Sequence, residues 1–338
     1  MIDAPQIAVT TDQPAQARDP LSALPRFAGA PLAWRRDLPW SVAREGNALM
    51  LRIEHLREEL LSDRANREVL MACGAVLANL RIAAHHVGVD LTVDYWPHGE
   101  QGPTVARLTL GASVTPGRED EALFEVLARG PRVASRAGGG GVSPALVALL
   151  RHGARAEGGW LDFVSDDARR EIVGDLESEA VAITDAERSA RRLLSARYGA
   201  GTLGPQFALG GAPSLGELLL TLGANVQPSN EWSTGRAALL RGCAIEAPLL
   251  AVLGASGDGP AEWLRSGTAL QRVLLHASAQ GLTATFLNEP LYHPLLRDAL
   301  RTVLFADGAP QAIVRFDFDS AGTAVVARRM SGNEATAA

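Results

Sequence analysis

Two stretches of equal length decide how this chain is read: EVLMACGAVLANLRIAAHHVGVDLTVDYWP, residues 68–97, and AEWLRSGTALQRVLLHASAQGLTATFLNEP, residues 261–290. In the first, Val69, Leu70, Cys73, Val76, Leu77, Leu80, Ala84 and Val87 share one face at helical spacing. That predicts a helix from about Asn66 to Val87, stopped by Gly88 and followed by the alternating strand LTVDYW. In the second, Leu264, Leu270, Val273, Leu274 and Ala277 make the apolar face of a helix from about Ala261 to Gln280. Gly281 ends that helix, TATFL follows as a strand, and Pro290 closes it. The two stretches match in spacing. Gly74 to Gly88 and Gly267 to Gly281 are both 14 residues; Gly88 to Pro97 and Gly281 to Pro290 are both nine.

The correspondence continues outward. Pro103 leads into the strand VARLTL and Pro310 into IVRFDF, with Arg107 and Arg315 on the two strands. A short helix is expected from about Pro294 to Leu304, and NALMLRIE reads as a strand upstream of the first unit. Self-similarity of this kind is a duplication signal, although helix–glycine–strand is also a common arrangement. Two related units in one chain can pack as the subunits of a symmetric dimer do, with a cofactor-sized cleft where they meet. The expected organisation is a flexible arm at 1–25, a first half at 26–120, a second half at 121–330 and a flexible tail at 331–338.

Composition excludes several functions. Net charge is −6, so the whole chain is not built to hold nucleic acid. Hydrophobic content of 47% and charged content of 21% fit a folded domain, and no uninterrupted apolar run has membrane-span length. The N-terminus lacks the basic-then-apolar pattern of a secretory signal, so a cytoplasmic location is expected. Cys73 and Cys243 form neither a disulfide framework nor a metal cluster. The sequence contains no lysine, which removes a Schiff-base lysine and the lysine of a phosphate-binding P-loop. No glycine fingerprint of a dinucleotide fold follows a strand, and no serine stands in a nucleophile elbow. His85 and His86 are read as helix C-terminal groups, and Asp166, Asp167, Glu177 and Glu179 as solvated helix ends.

The first stretch, with its CGA helix start, NLR, the following strand and the AR-containing strand, resembles the first-half signature of the Acg-like, tandem-fused group of the FMN-dependent nitroreductase family. WLRSG, QR and the AxxxGL of the second stretch resemble the second-half signature, and Arg328 and Arg329 in VVARRM resemble its closing basic pair. The resemblance implies an α+β fold in two pseudo-symmetric halves, each a mainly antiparallel sheet flanked by helices. It implies FMN between the halves, NAD(P)H as reductant and an unspecified small-molecule acceptor. A pseudo-dimer within one chain is implied, and further homodimerisation is left open.

The same resemblance directs attention to particular residues. Arg129, Arg132 and Arg136 stand where the family carries an arginine-rich phosphate segment, and Arg132 and Arg136 keep the spacing of its outer arginines. The glycine run that follows, including Gly138 and Gly139, can present N–H groups to an anion; the alternative is a surface loop with solvated arginines. Trp40, next to Pro39, remains from a flavin-edge segment whose polar positions are here Arg36, Asp37 and Leu38; it either stacks on a ring or belongs to the core. Thr285, Asn288 and Glu289 are candidate ring contacts, or else turn residues before Pro290. Flavin chemistry needs no acid or base side chain, so no catalytic residue is assigned. Two other readings stay open: a non-enzymatic relative that sequesters or has lost the flavin, and a flavin-dependent tailoring dehydrogenase in biosynthesis.

Overall fold

The computed structural model describes residues 19–28, 40–53, 63–100, 102–129, 142–198, 235–304 and 307–318. In chain order these form α1 (Pro20–Ala23) with a 3-10 turn (Leu24–Phe27), β1 (Trp40–Glu45), β2 (Ala48–Ile53), α2 (Asp63–His86), β3 (Val89–Tyr95) and β4 (Thr104–Ser113). Next come α3 (Arg118–Arg129), α4 (Pro144–Ala156), β5 (Trp160–Phe163), α5 (Asp167–Tyr198) and α6 (Arg236–Ile245). The last are β6 (Leu249–Ala255), α7 (Pro260–Ala279), β7 (Leu282–Phe286), a 3-10 turn (Glu289–Tyr292), α8 (Pro294–Val303) and β8 (Ala309–Phe318).

The strands make two four-stranded antiparallel sheets, ordered β1-β2-β4-β3 and β5-β6-β8-β7. The fold is therefore α+β, with each sheet flanked by helices. In each sheet the strand after the long helix is an edge strand that pairs with the strand next in sequence, Thr92 opposite Thr109 and Thr285 opposite Arg315. The helix stops lie where expected: Gly88 and Gly281 take φ of +83° and +75°, the left-handed conformation that ends a helix without penalty only at glycine.

α2 and α7 pack directly on each other, and two glycines make this possible. A Cβ on Gly74 would collide with the Leu264 carbonyl oxygen and lie 2.9 Å from the Thr268 nitrogen; a Cβ on Gly267 would collide with the Met71 carbonyl oxygen. The contact is reciprocal, because Met71 precedes Gly74 by three residues and Leu264 precedes Gly267 by three. Close approach also lets the buried Gln271 amide donate to Asn79 Oδ1 at 2.9 Å and the Thr268 hydroxyl donate to the Gly74 carbonyl at 3.2 Å. One apolar cluster spanning both sheets follows from this crossing, joining Leu49, Leu51, Leu77, Leu80 and Leu108 to Leu150, Leu161, Leu253, Leu270 and Phe316.

The sheets differ on their other faces. β6 is buried along its whole length, because α5, α6 and α8 cover the far side of its sheet with Val173, Val181, Leu240 and Leu300 against Val252 and Ile313. β4 is instead buried only at Thr104–Ala106 and Leu108, with Arg107 exposed between them and its end exposed. This explains why LLAVLGA is an unbroken apolar run while VARLTLG alternates. Leu21 and Leu24, in the segment read as an arm, are buried in the core. The boundary expected between residues 120 and 121 falls inside α3, which packs on both α2 and α7. Among the described residues one helical window, Arg67–His86, is long and apolar enough to cross a membrane, but 83% of it is buried inside the protein.

Candidate functional site

The turn after β7 gathers most of the buried polar chemistry. The Asn288 side chain accepts from the Ile313 N–H at 2.8 Å, continuing the ladder one step after Leu287 donates to the Ile313 carbonyl. Glu289 is 7% exposed; it accepts from the Arg236 guanidinium on α6 and from the Thr184 hydroxyl on α5 at 3.3 Å. The Thr184 oxygen also lies 3.2 Å from His293 Nε2. From the other side, Arg67 on α2 donates to the Leu291 carbonyl at 3.3 Å, with its guanidinium 5.6 Å from the Tyr292 ring centre. The Tyr292 hydroxyl donates to Glu68. The turn is thus gripped by α2 on one side and by α5 and α6 on the other. Burial, with Arg297 nearby, lowers the Arg67 pKa, against the opposing pull of Tyr292, Glu68 and Asp258.

Glu177 belongs to this cluster and is not a solvated helix end: it is 1% exposed. Neither of its carboxylate oxygens has a hydrogen-bond partner among the described residues, and the same holds for Arg236 Nε and Nη1. Burial pushes the Glu177 carboxyl well above its ordinary pKa, and the Glu289 carboxylate adds to the rise. Sequence does carry a signal for it. Val173, Glu177, Ala180, Val181 and Thr184 share one helical face, and the apolar members are buried.

A second network ties α2, α3, α4 and α7 together. Glu119 accepts from Arg272 at 2.8 Å and lies 3.0 Å from His276 Nε2 and 3.7 Å from His152. Glu157 meets Arg272 at 3.4 Å and Arg81 at 3.3 Å. Burial raises the Glu119 pKa, but the Arg272 hydrogen bond and charge, with His276 and His152, bring the net value below the ordinary range. Burial also lowers the His276 pKa against the upward pull of Glu119. His85 and His86 lie in the last turn of α2, and their rings meet acidic side chains: His85 reaches Asp90 at 3.1 Å and Asp120 at 3.3 Å, and His86 reaches Glu121 at 3.0 Å.

An open groove of about 570 Å³ runs along one face of α4, past Ser143, Val147, Arg151, His152 and Arg155. Arg151 is held by Asp162 at 3.5 Å, and Arg155 has no ion-pair partner among the described residues. The groove begins one residue after the segment that carries Arg132, Arg136 and the glycine run.

Arg132, Arg136, Gly138, Gly139, Arg328 and Arg329 lie outside the described residues. Arg129 ends α3, exposed and 3.8 Å from Glu125. Trp40 is 4% exposed at the start of β1, with its indole N–H donating to the Ala28 carbonyl at 3.4 Å, the arrangement of a core tryptophan. Thr285 is partly exposed on β7. Trp40 therefore belongs to the first sheet and the 285–289 group to the second, while Arg129 lies on α3, which packs on both α2 and α7. Arg67, Arg236, Glu177 and Arg155 were not anticipated as site residues.

No family model matches the chain, and no curated protein matches it. Among solved structures, the FMN- and NADPH-dependent nitroreductase NfnB from Sphigopyxis sp. strain HMH is similar at 17% identity and a TM-score of 0.34. That match covers 58% of this chain and 87% of the other, a likeness too low to establish a shared fold.

Proposed function

We propose that the chain is an FMN-binding oxidoreductase of nitroreductase type, a tandem-fused Acg-like relative whose two halves arose by duplication. It would pass electrons from NAD(P)H through the flavin to a small-molecule acceptor. The observation that carries this reading is the groove on α4. Its volume of about 570 Å³ lies within the usual range for ligand sites, and Arg151 and Arg155 give it the sign a phosphorylated cofactor requires. Its lining starts at Val142, the next residue in sequence after the segment whose arginines and glycines are the expected phosphate ligands. Identical sheet order and the reciprocal Gly74 and Gly267 contacts support the duplication. The flavin, when bound, supplies the hydride and electron chemistry. Arg151 and Arg155 would hold its phosphate end.

The ring contacts fit less well. The Asn288 side-chain Oδ1 is committed to the Ile313 N–H, Glu289 to Arg236 and Thr184, and Trp40 to the core. Thr285 keeps its partial exposure. That commitment favours the second reading, a descendant that keeps the fold and either sequesters FMN or has lost it. Purified protein answers first: bound FMN gives a yellow solution, reducible by NAD(P)H if the chain is an enzyme. Bound FMN that NAD(P)H does not reduce selects sequestration. Colourless protein whose melting temperature does not move with excess FMN overturns flavin binding.

A further inference from the structure

We propose that Glu177 is a proton-holding latch: it stays neutral while α5 is seated on α6 and the Glu289–Tyr292 turn, and its ionisation loosens that seat. The case rests on how the cluster distributes its partners. Three ionisable side chains, Glu177, Arg236 and Glu289, are each at least 93% buried. The single guanidinium gives its hydrogen bond to Glu289, which also receives the Thr184 hydroxyl. Glu177 is left with no hydrogen-bond partner for either oxygen among the described residues. With Glu177 neutral, the three charges sum to zero. With Glu177 ionised, two buried carboxylates share one cation, and one of them is unpaired, an arrangement that proteins avoid by keeping the proton.

The groups facing Glu177 come from each packed element: Arg236 from α6, Glu289 from the turn and, one step away through Thr184, His293 at the start of α8. The charged form is favoured by the Arg236 guanidinium and weakly by the Glu289 backbone N–H, which is near Glu177 without completing a hydrogen bond; burial and the Glu289 carboxylate oppose it more strongly. The direction of the pH effect follows. Below the ordinary carboxyl range, about pH 4, folded and unfolded chains both hold the proton and Glu177 does not affect stability. Above it the unfolded chain releases the proton and the folded chain keeps it, so the folding constant falls about tenfold per pH unit until the folded-state pKa is passed. Alkalinity, not acid, therefore releases this helix.

The test compares the full chain with E177Q, whose amide mimics the neutral acid. Urea unfolding is followed from about pH 4 to pH 8. The expected result is convergence of the two proteins near pH 4, with the wild type losing about tenfold in folding constant per pH unit relative to E177Q above pH 5. Parallel curves overturn the proposal. Infrared spectroscopy of the wild type alone decides the matter if E177Q does not fold. A protonated-carboxyl carbonyl band that persists at neutral pH and disappears on alkalinisation supports the latch, and its absence at neutral pH refutes it.

Discussion

Replacing Gly267 by alanine adds one methyl group where α7 touches the backbone of α2. The new Cβ would lie against the Met71 carbonyl oxygen, 2.5 Å from the carbonyl carbon and 2.7 Å from Cα. Ordinary contact is 3.4–4 Å, so the helices must separate locally by about 1.5 Å. Neither neighbour can rotate aside, because both are helix backbone. Overpacking a core typically costs about 1–3 kcal/mol, and a rigid obstacle places this case at the upper end. Alanine returns about 1 kcal/mol through its better helix propensity. The expected net loss is about 2 kcal/mol for G267A. G74A, whose next-nearest contacts are 2.9 and 3.0 Å, should lose somewhat less. The double variant should lose less than the sum, since the first methyl already parts the helices. G242A is the control: Gly242 lies within α6 with nothing among the described residues within 4 Å of a new Cβ, so the same substitution should stabilise by up to about 1 kcal/mol. Urea midpoints at constant slope read all four. If G267A matches or exceeds the wild type, as G242A should, the close crossing of α2 and α7 is wrong.

Two further outcomes are expected. Glu119 and His276 both have folded-state pKa values below their ordinary ones, so each contributes stability above its ordinary pKa that is lost as pH falls through the folded value. Relative to the paired variant E119Q/H276Q, the wild type should therefore lose melting temperature from about pH 6.5 downward; parallel profiles of the two proteins refute the assignment. The fully buried Cys73 thiol is pushed up to about 12 by desolvation, so it should resist a thiol reagent in the native protein and react only after unfolding. Rapid native modification of Cys73, identified by peptide mass, contradicts its burial.

Much of the architecture was visible in sequence because its determinants are local. α2 and α7 were bounded within about three residues by periodicity and glycine stops, and β8 and α8 by alternation and flanking prolines. β5 was missed: four residues, WLDF, are too few for a periodic signal, and pairing with β6 makes them a strand. Glu177 was misjudged because charged residues normally mark the solvent face; only tertiary packing of α5 against α6 shows that its face is the apolar one. Asn288 was placed with both a flavin-contact and a turn reading, and its bond to Ile313 is turn chemistry. The resemblance motifs also acquired a structural role. Asn79 meets Gln271, and Arg81 and Arg272 converge on Glu157, so these residues join the helices whatever the protein binds.

The crossing of α2 and α7 has a consequence for synthesis of the chain. Gly74 leaves the ribosome 193 residues before Gly267, so the apolar α2 must wait for its partner. At about 5–20 residues per second that delay is about 10–40 s. Throughout it, the nascent chain displays a helical stretch apolar enough to resemble a membrane span. The first sheet can cover one side of that stretch, but the Gly74 side has nothing to close on until α7 arrives. Yield in the cell should therefore respond to chaperones that bind apolar nascent segments, and circular permutation that brings the two helices together in sequence should relieve that dependence.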